Sequence, residues 1–440
     1  MFKSREAFIP YSRQEIIDLC LADGKIAIAE QEDFRQFCEI LIAYYHFKLH
    51  RSLETLKTSF SPLNPDLPDE ASRSSESDFQ QDFITTFESI LQQANYFSLP
   101  KRELEKALLE DSLFDLKTDV NFDAFEQMIC YCRGDSVTEV EVKKWGFKKV
   151  RQKVPIYQRV VLLIKFKTEH QYQNNVAAEE ELNFKPGKIY LYLYKNLSKL
   201  DLEFIFPNIE MSMNWKDRLL FGVPAIGAAI PLTLRALPQL ILVLGVLIYF
   251  VFGHQPIDVL QVEEEDIKDI APLIITVLSL TIALGGFAFK QYTNYKNKQI
   301  RFQKNVTETL FYRNIANNSG VFKYLIDAAE EEECKEIILV YYHLLTSPQP
   351  LTPLQLDSKI EAWMADKFGT IIDFDIEKPL RNLSEIKVSD RQMQGNTYHL
   401  KQKALLKRDR DNLCHILPLN EAKHVLDWVW DNIFEYSQTE

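Results

Sequence analysis

RALPQLILVLGVLIYFVFG (235–253) carries one cation, Arg235, at its entrance, one amide, Gln239, and otherwise apolar residues and the Tyr249 phenol. From Leu219 to Gly253 Arg235 is the sole charge. A second run, IAPLIITVLSLTIALGGFAF (270–289), is uncharged over its 20 residues. Twenty helical residues reach about 30 Å, the hydrocarbon thickness of a bilayer. A helix buried in a protein core normally keeps a polar stripe over that length, and neither run has one. The pattern predicts two membrane spans, about 235–253 and 270–289, inside a hairpin over 216–290.

The flanks agree with that expectation. Between the runs, HQPIDVLQVEEEDIKDI holds six acids against Lys268. Lys216 and Arg218 precede the first run, and Lys290, Lys296, Lys298, Arg301 and Lys304 follow the second. Basic flanks mark the cytoplasmic side, so both large domains are expected there and the acidic loop outside. The Glu263–Glu265 run itself reads as solvated loop. LLFGVPAIGAAIPLTL (219–234) is apolar but broken by Pro224 and Pro231. It extends the first span, lies along the interface, or enters and returns. Arg235 either snorkels to headgroups or a nearby acid, or faces a protein-lined cavity and selects anions. Six of the 13 glycines fall between 219 and 289, among them Gly222, Gly227, Gly285 and Gly286. Small residues let helices approach closely, as a helix hairpin or an oligomeric pore requires.

A chain of 440 residues is long enough for two or three domains. A net charge of −12 disfavours electrostatic binding of nucleic acid. The six cysteines show neither CxxC nor zinc spacing and read as reduced, mostly buried thiols. MFKSREAFIPYSRQEI lacks the apolar segment of a signal peptide and reads as neither signal nor transit sequence.

The N-terminal region, 1–121, is expected to be helical. Phe34, Phe37, Leu41, Tyr44, Tyr45, Leu49 and Leu53 make one helical face, and Phe79, Phe83, Phe87, Ile90, Leu91 and Ala94 another. SPLNPDLPDEASRSSES (61–77) between them reads as a linker. From 122 to 215 the period becomes two, which predicts an antiparallel sheet. The segment 291–345 reads as one or two juxtamembrane helices, with the EEEE of 330–333 a solvated face. In 346–440, Thr352-Pro353 starts a helix that Gly369 stops. A further helix and a hairpin turning at Gly395-Asn396 complete a winged-helix-like module. Acids Asp375, Glu377 and Glu385 balance Lys378, Arg381 and Lys387 there, so the module is expected to bind protein rather than nucleic acid.

Catalytic signatures are sparse. No GxSxG, HExxH, Walker A or GxGxxG motif occurs, so no cofactor is expected. His46 and His50 share a helix face at metal-ligand spacing, with Glu39 or Glu54 as a third ligand, but read more simply as solvated.

Several segments together resemble a two-span family of cyanobacteria and plants that includes mitochondrial transmembrane protein 143. They are FIPYSRQEI, YYHFKLHRSLETLK, YCRG (131–134), IYQRVVLLIKF, YKNLSKLDLEFIFPN, WKDRLLFGVPA and LDWVWDNIF. The resemblance spans nearly the whole chain and implies a bacterial plasma or thylakoid membrane location, with no particular activity. A peptidase activity ascribed to plant relatives finds no metal or nucleophile motif here. The sequence thus predicts an α+β membrane protein: N-terminal helices with an antiparallel sheet, a transmembrane hairpin, and a helical C-terminal domain with a winged-helix-like module. Its expected role is a non-enzymatic scaffold or regulator, with the bilayer and a protein partner or second copies as company. The other reading is a homo-oligomeric channel with Arg235 near the pore.

Overall fold

The alternating stretch between 125 and 198 forms the sheet that the rest of its unit packs against. The structure, a computed structural model, describes residues 7–68, 76–102, 104, 117–144, 148–167, 184–185, 187–207, 209–212, 264–369, 371–394 and 397–436. It divides into two units: Met1–Ala107, Phe122–Leu202 and Arg313–Glu440 in the first, Leu108–Asn121 and Glu203–Tyr312 in the second.

Helix α1 (Arg13–Ala22) opens with a reciprocal cap. Ser12 accepts from the Glu15 amide, and the Glu15 carboxylate accepts from the Ser12 amide. Helices α2 (Gln31–Phe60) and α3 (Glu76–Gln93) follow. Strands β1 (Phe97–Ser98), β2 (Lys117–Val120), β3 (Phe125–Lys144), β4 (Lys148–Phe166), β5 (Ile189–Ser198) and β6 (Ile209–Ser212) come next. Then come α4 (Glu264–Arg313), β7 (Asn314–Asn317), α5 (Gly320–Leu345), α6 (Pro353–Phe368) and α7 (Glu377–Glu385). Two antiparallel pairs, β8 (Lys387–Gln394) with β9 (Thr397–Ala404) and β10 (Leu406–Arg408) with β11 (Cys414–Ile416), precede α8 (Leu419–Asp431) and α9 (Ile433–Tyr436).

In the first unit the five strands run antiparallel in the order β1-β3-β4-β5-β7. One face buries Tyr131, Val161, Leu163, Leu191 and Leu193 against Phe83 and Phe87 of α3, Phe60 of α2 and Phe322 of α5. A second core gathers α1, α6, α7 and α8 around the other ends of α2 and α5. Phe60 meets Phe322 at 5.2 Å while Phe37 stacks on Tyr341 at 4.0 Å, so α2 and α5 run antiparallel through both cores. The capping box at Thr352 with Pro353 behind it starts α6, and Gly369 at φ +65° stops it.

Two local expectations change. Of the one or two helices expected across 291–345 there are two, and β7 between them adds an unexpected edge strand beside β5. Asn318 makes this possible. It adopts φ +47°, exchanges backbone hydrogen bonds with Leu191 through its amide and side chain, and donates to Asp66. The start of the 61–77 linker is also tied down: Lys188 and Lys185 donate to the carbonyls of Pro62 and Pro65, each at 2.9 Å, and Leu63 is buried. All six cysteines are buried free thiols.

The second unit pairs β2 with β6 and contains α4 up to Tyr312. Here the largest correction falls. Among the described residues no helix is long and apolar enough to cross a membrane. The α+β membrane fold with a transmembrane hairpin, the integral location in a plasma or thylakoid membrane with cytoplasmic domains, and the channel are therefore overturned. What stands is an α+β fold with a five-strand antiparallel sheet. The first run, 235–253, lies outside the described residues. The second is not a helix bounded at bilayer thickness. It is an interior part of the 50-residue α4, about 75 Å long, which starts at Glu264 and continues through the basic Lys290–Arg313. A count of consecutive apolar residues measures reach only where the helix starts and stops with the run.

Two glycines at positive φ separate conformational from steric cost. Gly369 has open space where a Cβ would stand, whereas at Gly134 (φ +77°) a Cβ would lie 2.6 Å from the Gln158 side chain. Gly369→Ala is expected to cost about 1 kcal/mol, from backbone strain alone. Gly134→Ala is expected to cost about 2–4 kcal/mol, because overpacking adds to that strain. Denaturant midpoints of the two variants check the order.

Candidate functional site

The site is built from α5. Its second half, EIILVYYHLL (336–345), is apolar on nearly every side, and such a helix requires cover on every side. That cover comes from α1, α2, α6, α7 and α8, and every residue from Glu332 to Leu344 is buried. The cover takes the preceding turns inside with it. Glu330, Glu332, Glu333, Lys335 and Glu336 are all buried, so EEEE is not a solvated face. A buried ion costs several kcal/mol, roughly, unless it is paired and its remaining hydrogen bonds are met. Glu330, Glu332, Glu333 and Lys335 meet that condition with groups from distant parts of the chain, whereas Glu336 is paired but keeps one oxygen, Oε2, without a hydrogen-bond donor among the described residues.

Lys335 donates to the carbonyls of Ile9 at 2.7 Å and Tyr11 at 2.9 Å, and to Glu332 at 2.7 Å. The other Glu332 oxygen accepts from the Ile9 amide and from Asn95. Asn95, held at φ +56°, also donates to Glu336 at 2.7 Å. Arg13 and His46 both hold Glu330, at 2.7 and 2.8 Å. On the far side, Lys378 of α7 lies 3.5 Å from Glu333 and 3.0 Å from Glu336, and donates to the Gln93 carbonyl at 2.9 Å. Asn382, one turn along α7, donates to Glu333 at 2.5 Å. Phe8 lies beside the network, with Lys335 over its ring at 5.5 Å and the Arg133 guanidinium at 4.4 Å.

Two carboxylates thus share one ammonium, Lys378. Burial pushes Glu333 above the ordinary range and Glu336 up to about 7, and Lys378 only partly offsets it. The charge of Lys378 is held on by the same two acids, which outweigh its own burial.

Above Glu333 a cleft of about 300 Å³ opens between α2, α3 and α7. Tyr45, Lys48, Gln92, Gln93, Lys378 and Arg381 are among the residues that line it. On the adjacent side of α2, Phe47 packs edge-on against Trp430 at 6.3 Å and Phe434 at 5.7 Å. These aromatics are partly to largely exposed, Phe434 at 69%.

The residues singled out from sequence do not converge here as a set. Arg235, Gln239, Gly222 and Gly227 lie outside the described residues. Gly285 and Gly286 sit on α4, with nothing within 4 Å of where a Cβ would stand, so no described group makes the close approach expected of them. His46 reaches the network, but as a partner of Glu330, and its ring is 70% exposed. His50 faces Glu54 at 3.9 Å. Among the described residues no group of three or more His, Cys, Asp and Glu side chains could hold a metal. The network itself escaped notice because four consecutive glutamates read as solvent-facing. The readable signal was the apolar run right behind them, too apolar on all sides to belong to a helix with an open face.

Lys335→Met is expected to destabilise the chain by about 3–5 kcal/mol, since it strands Glu332 in the core, and Lys335→Met with Glu332→Leu to recover much of that. Chemical denaturation of both variants is the check. A second expectation concerns pH. Glu336 binds its proton more tightly folded than unfolded, so its contribution is full below about pH 4.5 and is lost as pH rises through 7. Buried His343, lowered to about 3 chiefly by desolvation, acts in the opposite sense at lower pH, so variant and wild type must be compared at each pH. Glu336→Gln is expected to gain roughly 1–3 kcal/mol relative to wild type between pH 5 and 8. A pH-independent difference contradicts the shared-ammonium reading.

No solved structure matches the chain. The family match covers part of it, from mid-β4 through α4 and β7 to the first residue of α5, and stops short of the buried network. Residues 157–320 match the model of a protein family of unknown function, DUF3754.

Proposed function

We propose that the chain is a non-enzymatic scaffold or regulatory protein that holds a partner protein on its C-terminal aromatic face. The observation that supports this is the grouping of Trp430 and Phe434, exposed at 40% and 69%, around Phe47. Rigid aromatics offer large contact area at little entropic cost and dominate interface energetics. The exposed acids Asp427 and Asp431 flank them on α8. With a net charge of −12 over the chain, the matching partner is an apolar segment edged by lysine or arginine. The likeness to the family that includes mitochondrial transmembrane protein 143 implies no activity of its own. LDWVWDNIF, one of the segments that carries it, supplies this face, and FIPYSRQEI supplies partners of the α5 network.

A short amphipathic helical peptide of leucine and lysine is a suitable probe. Its titration is expected to shift the tryptophan emission saturably, with an acidic leucine–glutamate peptide leaving it unchanged. Trp430→Ala and Phe434→Ala are each expected to weaken binding about tenfold. Equal binding of the two peptides, or of wild type and both variants, contradicts the proposal.

A further inference from the structure

Tyr45, only 2% exposed, lines the cleft, and its hydroxyl is buried without a hydrogen-bond partner among the described residues. A buried donor left unmet costs about 1–3 kcal/mol, so such a group normally has water or a ligand to donate to. Two exposed cations, Lys48 and Arg381, line the cleft as well. Lys48, one turn along α2, has its ammonium 5.7 Å from the Tyr45 ring. Arg381 lines the opposite side from α7. Both are exposed, and neither is in an ion pair with a described carboxylate.

The acids that line the cleft are in a different position. Glu333 has Lys378 and Asn382, and Glu377 has Arg408 at 2.7 Å. Asp375 also lines the cleft, and Glu333 feels the charges of Lys48 and Arg381 as well as that of Lys378. Gln92 and Gln93 add amide donors from the end of α3. The cleft thus offers a small ligand two exposed cations, one of them a forked guanidinium suited to paired oxygens, and a desolvated hydroxyl beside them.

We propose that this cleft is a binding site for a small oxyanion, a phosphoryl or carboxylate group. Lys48 and Arg381 clamp it from α2 and α7, and the Tyr45 hydroxyl donates to it from the floor. The ligand joins helices that the Lys378 network already holds in register, so the site is preformed and small. About 300 Å³ accommodates the charged end of a metabolite or a free ion.

The test uses the full chain and two probes, inorganic phosphate and malonate, titrated by calorimetry at fixed ionic strength set with chloride. Saturable binding in the millimolar range or tighter is expected. Lys48→Gln and Arg381→Gln are each expected to weaken it at least fivefold. Tyr45→Phe should weaken it about threefold, and a ligand-free thermal midpoint equal to or above that of wild type shows that the fold is intact. Tight binding of phosphate alone assigns the phosphoryl class, and of malonate alone the carboxylate class. Heats that chloride reproduces, no saturation with either probe, or equal affinity in wild type and all three variants overturns the proposal.

Discussion

Five charged side chains on little more than a turn and a half of α5 are kept from water, and the arrangement of the first unit depends on how they are satisfied. An apolar helix needs neighbours on every side, and those neighbours seal off the acids that precede the apolar run. Once inside, each acid must find a donor, and the helix cannot supply enough of them. Lys335 meets Glu332 within α5, but the Ile9 and Tyr11 carbonyls complete its coordination. Asn95, Arg13, His46, Lys378 and Asn382 come from four other segments. Removing Lys335 or Lys378 leaves a buried acid without its cation, which makes assembly of these segments cooperative.

The cleft and the aromatic face inherit their geometry from that constraint. Lys378 binds α7 to α5 and, through the Gln93 carbonyl, to the end of α3. This sets the spacing of the three helices around the cleft. Helix α2 then presents Tyr45 and Lys48 to the cleft and Phe47 to the C-terminal helices. Both proposed binding surfaces are therefore held by the same scaffold helix. The unequal sharing of one ammonium by Glu333 and Glu336 keeps the network near its limit at neutral pH, where one more ionised group adds cost rather than stability.

Periodicity made much of the first unit legible. The stripe from Phe34 to Leu49 is the buried face of α2, and Thr352-Pro353 with Gly369 marks the two ends of α6. These signals are local, and the residues that produce them also decide the outcome. The failures came where a local signal had a nonlocal resolution. EEEE reads as solvated because its donors sit some fifty to more than three hundred positions away in sequence. Strand β7 was hidden because NIANNS carries modest helical potential, and the left-handed turn at Asn318 is justified only by Leu191 and Asp66. The second apolar run shows a third kind of failure. Hydropathy reports that a segment avoids water, but the extent of the helix comes from its ends, and α4 runs well past the apolar segment it contains.

The account stands or falls on whether the charged turns of α5 are the most firmly held part of the first unit. Hydrogen exchange of the full chain, followed by mass spectrometry, tests this most directly. The backbone amides from Glu332 to Glu336 should exchange as slowly as those of Ile337 to Tyr342, through global opening. Fast exchange at Glu332–Glu336, on the scale of the exposed turns around Lys323 and Tyr324, contradicts it: the acids would then be meeting water, and the segments gathered around them would need another reason to be there.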